Sequence, residues 1–167
     1  AFDAGAVVIA ANGNRGPASD TVNAPASAHR VIGVGDFDVQ TLNQINTQSR
    51  GATPDNRFKP DIQAPTNTET ASSASNTALR VFSGTSGATP YAAGAAALLR
   101  SHIKAISGGI DPGQVYAQLI LSGQQPYPFN NTTGAGPLTL PTNGQAWWGK
   151  VSVTNGATID IPLNIAS

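Results

Sequence analysis

Ser83-Gly84-Thr85-Ser86-Gly87-Ala88-Thr89-Pro90, followed at once by Tyr91-Ala92-Ala93-Gly94-Ala95-Ala96-Ala97-Leu98-Leu99-Arg100, decides how this chain reads. A turn of glycine and small hydroxyl residues opens into a long run of small apolar ones. The run is rich in alanine and uninterrupted, so it predicts a buried helix. Pro90 is expected in the first helical turn, where its missing N–H costs nothing. Ser86 then stands at the helix entrance, where unpaired N–H groups and the helix dipole favour negative charge. Such a position suits a serine that attacks a carbonyl and leaves an oxyanion. An isolated Gly-Thr-Ser is more often a plain helix cap.

Downstream, the helix should end near Ile103 to Ser107 with Gly108-Gly109 as its stop. Asp111-Pro112 opens a second helix that runs through Leu121 and stops at Gly123. From Trp147 and Trp148 onward, Val151, Val153, Asn155-Gly156, Ile159 and Ile161 alternate as a β-ribbon with a tight turn. One of the two tryptophans is expected on the core. Upstream, Ala6-Val7-Val8-Ile9-Ala10-Ala11 and Arg30-Val31-Ile32-Gly33-Val34-Gly35 read as short buried parallel strands, and Asp61-Ile62-Gln63-Ala64 as a third. The Thr/Ser/Asn stretch from Thr66 to Thr77 reads as a surface loop. The alternation predicts an α/β parallel-sheet, three-layer domain over residues 1–140, with a C-terminal antiparallel ribbon over 141–167.

Composition narrows the functions. The chain has 167 residues, 40% hydrophobic and 11% charged, with nine basic and nine acidic groups. This balance gives no footprint for nucleic acid or a membrane surface, and no apolar run is long enough for a transmembrane helix. There is no Cys, hence no disulfide framework or thiolate metal site. The polar, weakly charged make-up is compatible with an extracellular protein. The sequence has no Met and begins at Ala1, which reads as a processed or trimmed piece.

Four ordered stretches, with a glycine pair after them, carry a family signature. Gly84-Thr85-Ser86-Gly87-Ala88-Thr89-Pro90 resembles the nucleophile motif of the subtilisin-like serine peptidases. Ala10-Ala11-Asn12-Gly13-Asn14-Arg15-Gly16 resembles their oxyanion segment, with Asn14 at the oxyanion asparagine. Asn23-Ala24-Pro25 with Val31 to Gly35 resembles their proline turn and the strand after it, and Pro25 is expected to follow a cis bond. Ser49-Arg50-Gly51 through Lys59-Pro60-Asp61-Ile62-Gln63-Ala64-Pro65 resembles a further conserved-pattern block, and Gly134-Ala135-Gly136 the closing glycine pair.

The resemblance implies a serine endopeptidase acting on polypeptide substrates through an acyl-enzyme on Ser86. Asn14 and the Ser86 N–H would hold the oxyanion. It also implies one wall of the specificity pocket at Ala11, Asn12 and Gly13, and Asn23 near its base. The family order is Asp, His, then Ser, so base and acid are expected on an N-terminal fragment of the same protease, separated by self-cleavage. His29 and His102 are the two histidines here. His102 lies about 24 Å along the helix from Ser86 at 1.5 Å per residue, out of reach, and better suits the helix C-terminus. Asp61 reads as structural. Catalysis needs no cofactor and no metal is assigned; a structural calcium near Pro25 to Val31 with Asp36 or Asp38 is compatible with the family. Asn130-Asn131-Thr132-Thr133 holds two overlapping glycosylation sequons.

Three positions depart from the family pattern: Gly87 stands where Met is common, Tyr91 where His is common, and Thr66 where Gly follows Ala-Pro. Gly87 is expected to remove packing behind the nucleophile and to loosen Ser86. The rival readings are a catalytically inactive pseudoenzyme or binding scaffold on the same fold, and an acid-acting serine-carboxyl peptidase. Asn14, where the latter place an Asp, counts against the second rival.

Overall fold

A computed structural model of the chain describes residues 1–140 with Thr154 and Asn155. The ribbon expected over 141–167, its two tryptophans included, otherwise lies outside the described residues. Three strands form a parallel sheet in the order β1-β2-β3: β1 Ile9–Ala11, β2 Ile32–Asp38 and β3 Ile62–Thr66. Register is set by Ala10 opposite Gly33 and by Val34 opposite Ile62. β2 runs three residues beyond the expected strand, because Asp36 to Asp38 go on pairing with Ala64 to Thr66 after β1 has ended. With β2 as its one partner, β1 is an edge strand among the described residues.

The period-two pattern of Ile32-Gly33-Val34-Gly35 has a direct cause. Ile32 and Val34 enter the core with Ile62, Ala64, Ala88, Ala92, Val115 and Leu119. Gly33 and Gly35 turn to the other face, where a Cβ would meet Asn12 and Lys59 at one position and Gln48 and Pro60 at the other. One face of the sheet therefore takes apolar helix residues. The other takes loop segments whose polar groups crowd the backbone.

Helix α1 spans Gly84–Ser107 and helix α2 Pro112–Leu121. The end of α1 and the start of α2 follow their local chemistry. Gly108 takes φ 71° and its N–H donates to the Lys104 carbonyl, while the Asp111 side chain caps α2 by accepting from Gly113 N–H. Two expectations for α1 need correction. The helix begins at Gly84, so Pro90 is its seventh residue and lies in the second turn, not the first. Its missing N–H leaves the Ser86 carbonyl without an i+4 donor. Nor is α1 buried all round. Ala88, Ala92, Ala95, Ala96 and Ile103 are buried, but Ala93, Gly94, Ala97 and Leu98 are exposed, Leu98 at 67%.

The loop expected over 66–77 is largely a hairpin: β4 Thr68–Ala71 pairs antiparallel with β5 Leu79–Phe82. The threonines supply β propensity that the low-complexity composition conceals. Leu79 and Val81 of β5 are more than half exposed. The bond before Pro25 is cis, as expected.

Candidate active site

The parallel strands deliver their C-terminal ends to one rim of the sheet, where β1 runs into Asn12 to Arg15 and α1 begins. Two turns meet there. Gly13 takes φ 107° and Gly84 φ 73°, backbone that glycine adopts without strain. The Asn14 side chain packs over Gly84, where a Cβ would stand 3.1 Å from its amide atoms.

Thr85, fully buried, ties the two turns together. Its N–H donates to Asn14 Oδ1 at 3.0 Å, its hydroxyl donates to the same oxygen at 3.1 Å, and its Oγ1 accepts from Gly13 N–H at 3.2 Å. A backbone N–H can meet only the oxygen of an amide, so these bonds fix which way the Asn14 amide faces. Nδ2 is left as the outward donor, with no acceptor among the described residues. Ser86 is the third residue of α1 and is exposed. Its N–H belongs to the first helical turn, whose donors have no intrahelical acceptor. A serine hydroxyl, a free amide donor and a free helix N–H thus gather at one helix entrance.

A second layer holds the Asn14 loop from behind. Buried Ser49 donates its N–H to the Gly13 carbonyl at 2.8 Å, accepts Arg15 N–H on Oγ at 3.0 Å, and takes the Asn12 amide on its own carbonyl. Gly16 N–H donates to the Thr47 carbonyl at 2.8 Å. Segment 47–49 is therefore a rail along which residues 12–16 run. Thr66, at the end of β3 and fully buried, donates from Oγ1 to the Gly84 carbonyl at 2.9 Å.

The remaining sequence candidates are placed as follows. Asn12 is fully buried, its side chain turned to Ser49, so what the expected pocket wall offers outward is Ala11, Gly13 and backbone. Asn23 is exposed on the loop before Pro25, and its carbonyl accepts from Ser27 N–H. Gly87 does not leave a gap behind Ser86, as its replacement of Met suggested: a Cβ there would lie 2.9 Å from Thr66 Oγ1 and 3.1 Å from the Phe82 carbonyl oxygen. His29 sits on the surface against Asp55 at 3.0 Å. His102 is exposed; Lys104, not His102, occupies the last turn of α1.

Asp61 is structural, accepting from Gly33 N–H at 2.6 Å and pairing with buried Lys59, whose ammonium also donates to the Val31 carbonyl. Asp38 is saturated by its own loop: Gln40 and Thr41 N–H, the Thr41 hydroxyl and Asn67 Nδ2 all donate to it and hold its pKa down to about 2. Among the described residues no three His, Cys, Asp or Glu side chains gather as a metal site. Asn130 spends its Oδ1 on the N–H groups of Thr132 and Thr133, closing its own turn, and Asn131 Oδ1 accepts from Lys59 N–H.

Asp36 stands apart. It is fully buried in β2, neither carboxylate oxygen has a hydrogen-bond partner, and burial pushes its pKa up to about 6.

With this geometry in hand, comparison with known proteins is direct. The family model described as the subtilase family matches residues 1–136, and the chain belongs to that family. It is 32% identical over 145 residues to the cuticle-degrading serine protease of Arthrobotrys oligospora, covering 87% of this chain and 33% of that protein. Among solved structures it is similar to the prenylagaramide maturation protease PagA, with a TM-score of 0.68 at 30% identity over 82% of this chain and 49% of that one. It is also similar to the self-cleaved protease domain of PatA, with a TM-score of 0.63 at 30% identity, over 80% and 47% respectively. The chain thus spans about a third of that curated relative and about half of those solved domains. Among the described residues no helix is long and apolar enough to cross a membrane.

Thr85, Ser49 and Thr66 were not singled out by sequence reasoning as parts of the site. Thr85 and Ser49 stand inside the quoted motifs, but their partners are 71 and 34 residues away.

Proposed function

We propose that this chain is the nucleophile-bearing part of a subtilisin-like serine endopeptidase. Ser86 attacks the scissile carbonyl, and the oxyanion is received by Asn14 Nδ2 and the Ser86 N–H. The acyl-enzyme is then hydrolysed by water. The observation that carries this reading is the amide of Asn14, its oxygen bound twice by Thr85 and its nitrogen left to donate beside Ser86. Donors set in place before reaction are what oxyanion stabilisation requires.

Among the described residues His29 and His102 lie elsewhere, and Asp61 is spent on Lys59 and Gly33. The reading therefore assigns base and acid to an N-terminal fragment of the same protease, with His taking the Ser86 proton and Asp orienting it. Support comes from the outer edge of β1, unpaired among the described residues, and from the exposed small-residue face of α1, where Ala93, Ala97 and Arg100 border a groove with Gly5, Ala6 and Val7. Apolar helix faces and unpaired strand edges want a cover. The solved neighbour described as self-cleaved is a precedent for separation by autoprocessing. Residues 1–140 then form the C-terminal part of the catalytic domain and 141–167 an extension. Substrates are polypeptides, lying between the Ala11–Gly13 wall and Asn23, and the enzyme works outside the cell. A structural calcium has no support in the saturated Asp38.

The test is labelling of the complete catalytic domain with a fluorophosphonate, followed by peptide mapping. The reading expects the label on Ser86, none on this chain by itself, and peptidase activity in the culture medium. Activity from this chain alone would sink it.

A further inference from the structure

We propose that Thr66 is a positioning residue for Ser86, and that Thr66 and Gly87 form an exchangeable pair setting the nucleophile turn. The inference rests on the reading of Ser86 as nucleophile. Thr66 is fully buried at the C-terminal end of β3. Its hydroxyl donates to the Gly84 carbonyl at 2.9 Å, two residues before Ser86. The same Oγ1 stands 2.9 Å from where a Cβ would project at Gly87, the residue after Ser86, closer than real Cβ contacts come. One buried hydroxyl thus touches the turn on both sides of Ser86: by a hydrogen bond before it and by occupied volume after it. The two departures from the family pattern, threonine at 66 and glycine at 87, are one change. A side chain on the strand fills from below the space that a side chain on the helix would fill from above, and it adds a hydrogen bond that a glycine at 66 cannot make.

The pair predicts a pattern that a merely structural threonine does not. In the complete catalytic domain, Thr66→Val keeps the shape and loses the donor. It should lower kcat by about two- to tenfold with KM unchanged, in line with one hydrogen bond acting on the nucleophile. Thr66→Ser keeps the donor and should stay within about twofold of the parent. Gly87→Met drives a long side chain into Thr66 and should cost about a hundredfold in kcat through displacement of Ser86. Thr66→Gly combined with Gly87→Met should recover at least about tenfold over Gly87→Met alone, because the tighter of the two contacts is removed and only the Phe82 carbonyl at 3.1 Å has to give. If Gly87→Met does not fold, Gly87→Ala and Thr66→Gly with Gly87→Ala make the same comparison. Equal kcat for Thr66→Val and parent overturns the inference, as does a double variant no better than its Gly87 single. Full activity in Ser86→Ala would instead overturn the peptidase reading, a result that the Thr66 series cannot imitate.

Discussion

The first turn of α1 and the outward face of the same helix, a few residues on, are built in opposite ways. At the turn, Gly84, Thr85, Gly13, Asn14 and Arg15 are held by hydrogen bonds from four segments far apart in sequence, and two glycines adopt positive φ so that the segments can meet. On the outward face, Ala93 and Ala97 border a groove with Gly5, Ala6 and Val7 ahead of β1, whose outer edge is unpaired among the described residues, and Gly94 and Leu98 border another with Leu138 and Leu140. Polar groups with fixed partners are finished; apolar groups without cover are not. The contrast teaches that the turn finds its hydrogen-bond partners among the described residues, whereas the outward face of α1 finds no cover there.

Four substitutions would break or sharpen that contrast, the largest effect first. Ser86→Ala in the complete domain should remove roughly 10⁶ in kcat, the scale seen when a nucleophile is lost from a triad; steady-state hydrolysis of a peptide substrate reads it. Asn14→Ala should cost about 10²–10³ in kcat with KM nearly unchanged, a magnitude taken from the corresponding donor in subtilisin. A loss confined to KM would mean that Asn14 binds substrate rather than the transition state. Ala97→Arg should leave the stability of the turn region untouched yet weaken association with the N-terminal fragment by about tenfold or more. Titrating activity against added fragment measures it, and unchanged association would show that the exposed face is a true surface.

The smallest effect concerns Asp36, the exception inside the finished region. Its carboxyl has a pKa raised from 3.8 to about 6 in the folded state. The folded protein therefore holds a proton that the unfolded chain has released, and stability falls as pH rises from about 4 through 6. Asp36→Asn removes that loss. It should raise stability by roughly 1–3 kcal/mol at pH 7–8 and leave it unchanged near pH 4, read as the difference in melting temperature between the two. A gain of equal size at both pH values would mean that the carboxyl is not being protonated on folding.

How much of this was legible follows from the range of each interaction. α1 was readable because its stop, Gly108, and its apolar run are local. Asn14 and Ser86 could be named as candidates because motif order survives without coordinates. The roles of Thr85, Ser49 and Thr66 were not, since each depends on a partner brought near only by the sheet. Gly87 shows the limit most clearly. Read beside its sequence neighbours it looks like a loss of packing; in the fold, Thr66 occupies that volume. The β4–β5 hairpin escaped because its threonines carry strand propensity inside a composition that reads as loop. The exposed face of α1 escaped because an alanine looks the same whether its cover is present or absent.

The triple contact of Thr85 with Gly13 and Asn14 has one further consequence. It locks β1 to α1, so the rim of the strand and the head of the helix travel as a rigid body. On the proposed reading, any breathing or hinge opening between this chain and a fragment resting on α1 leaves Ser86 and Asn14 in register with each other. On that reading such motion changes one coordinate alone, the gap across which the Ser86 proton is handed to its base.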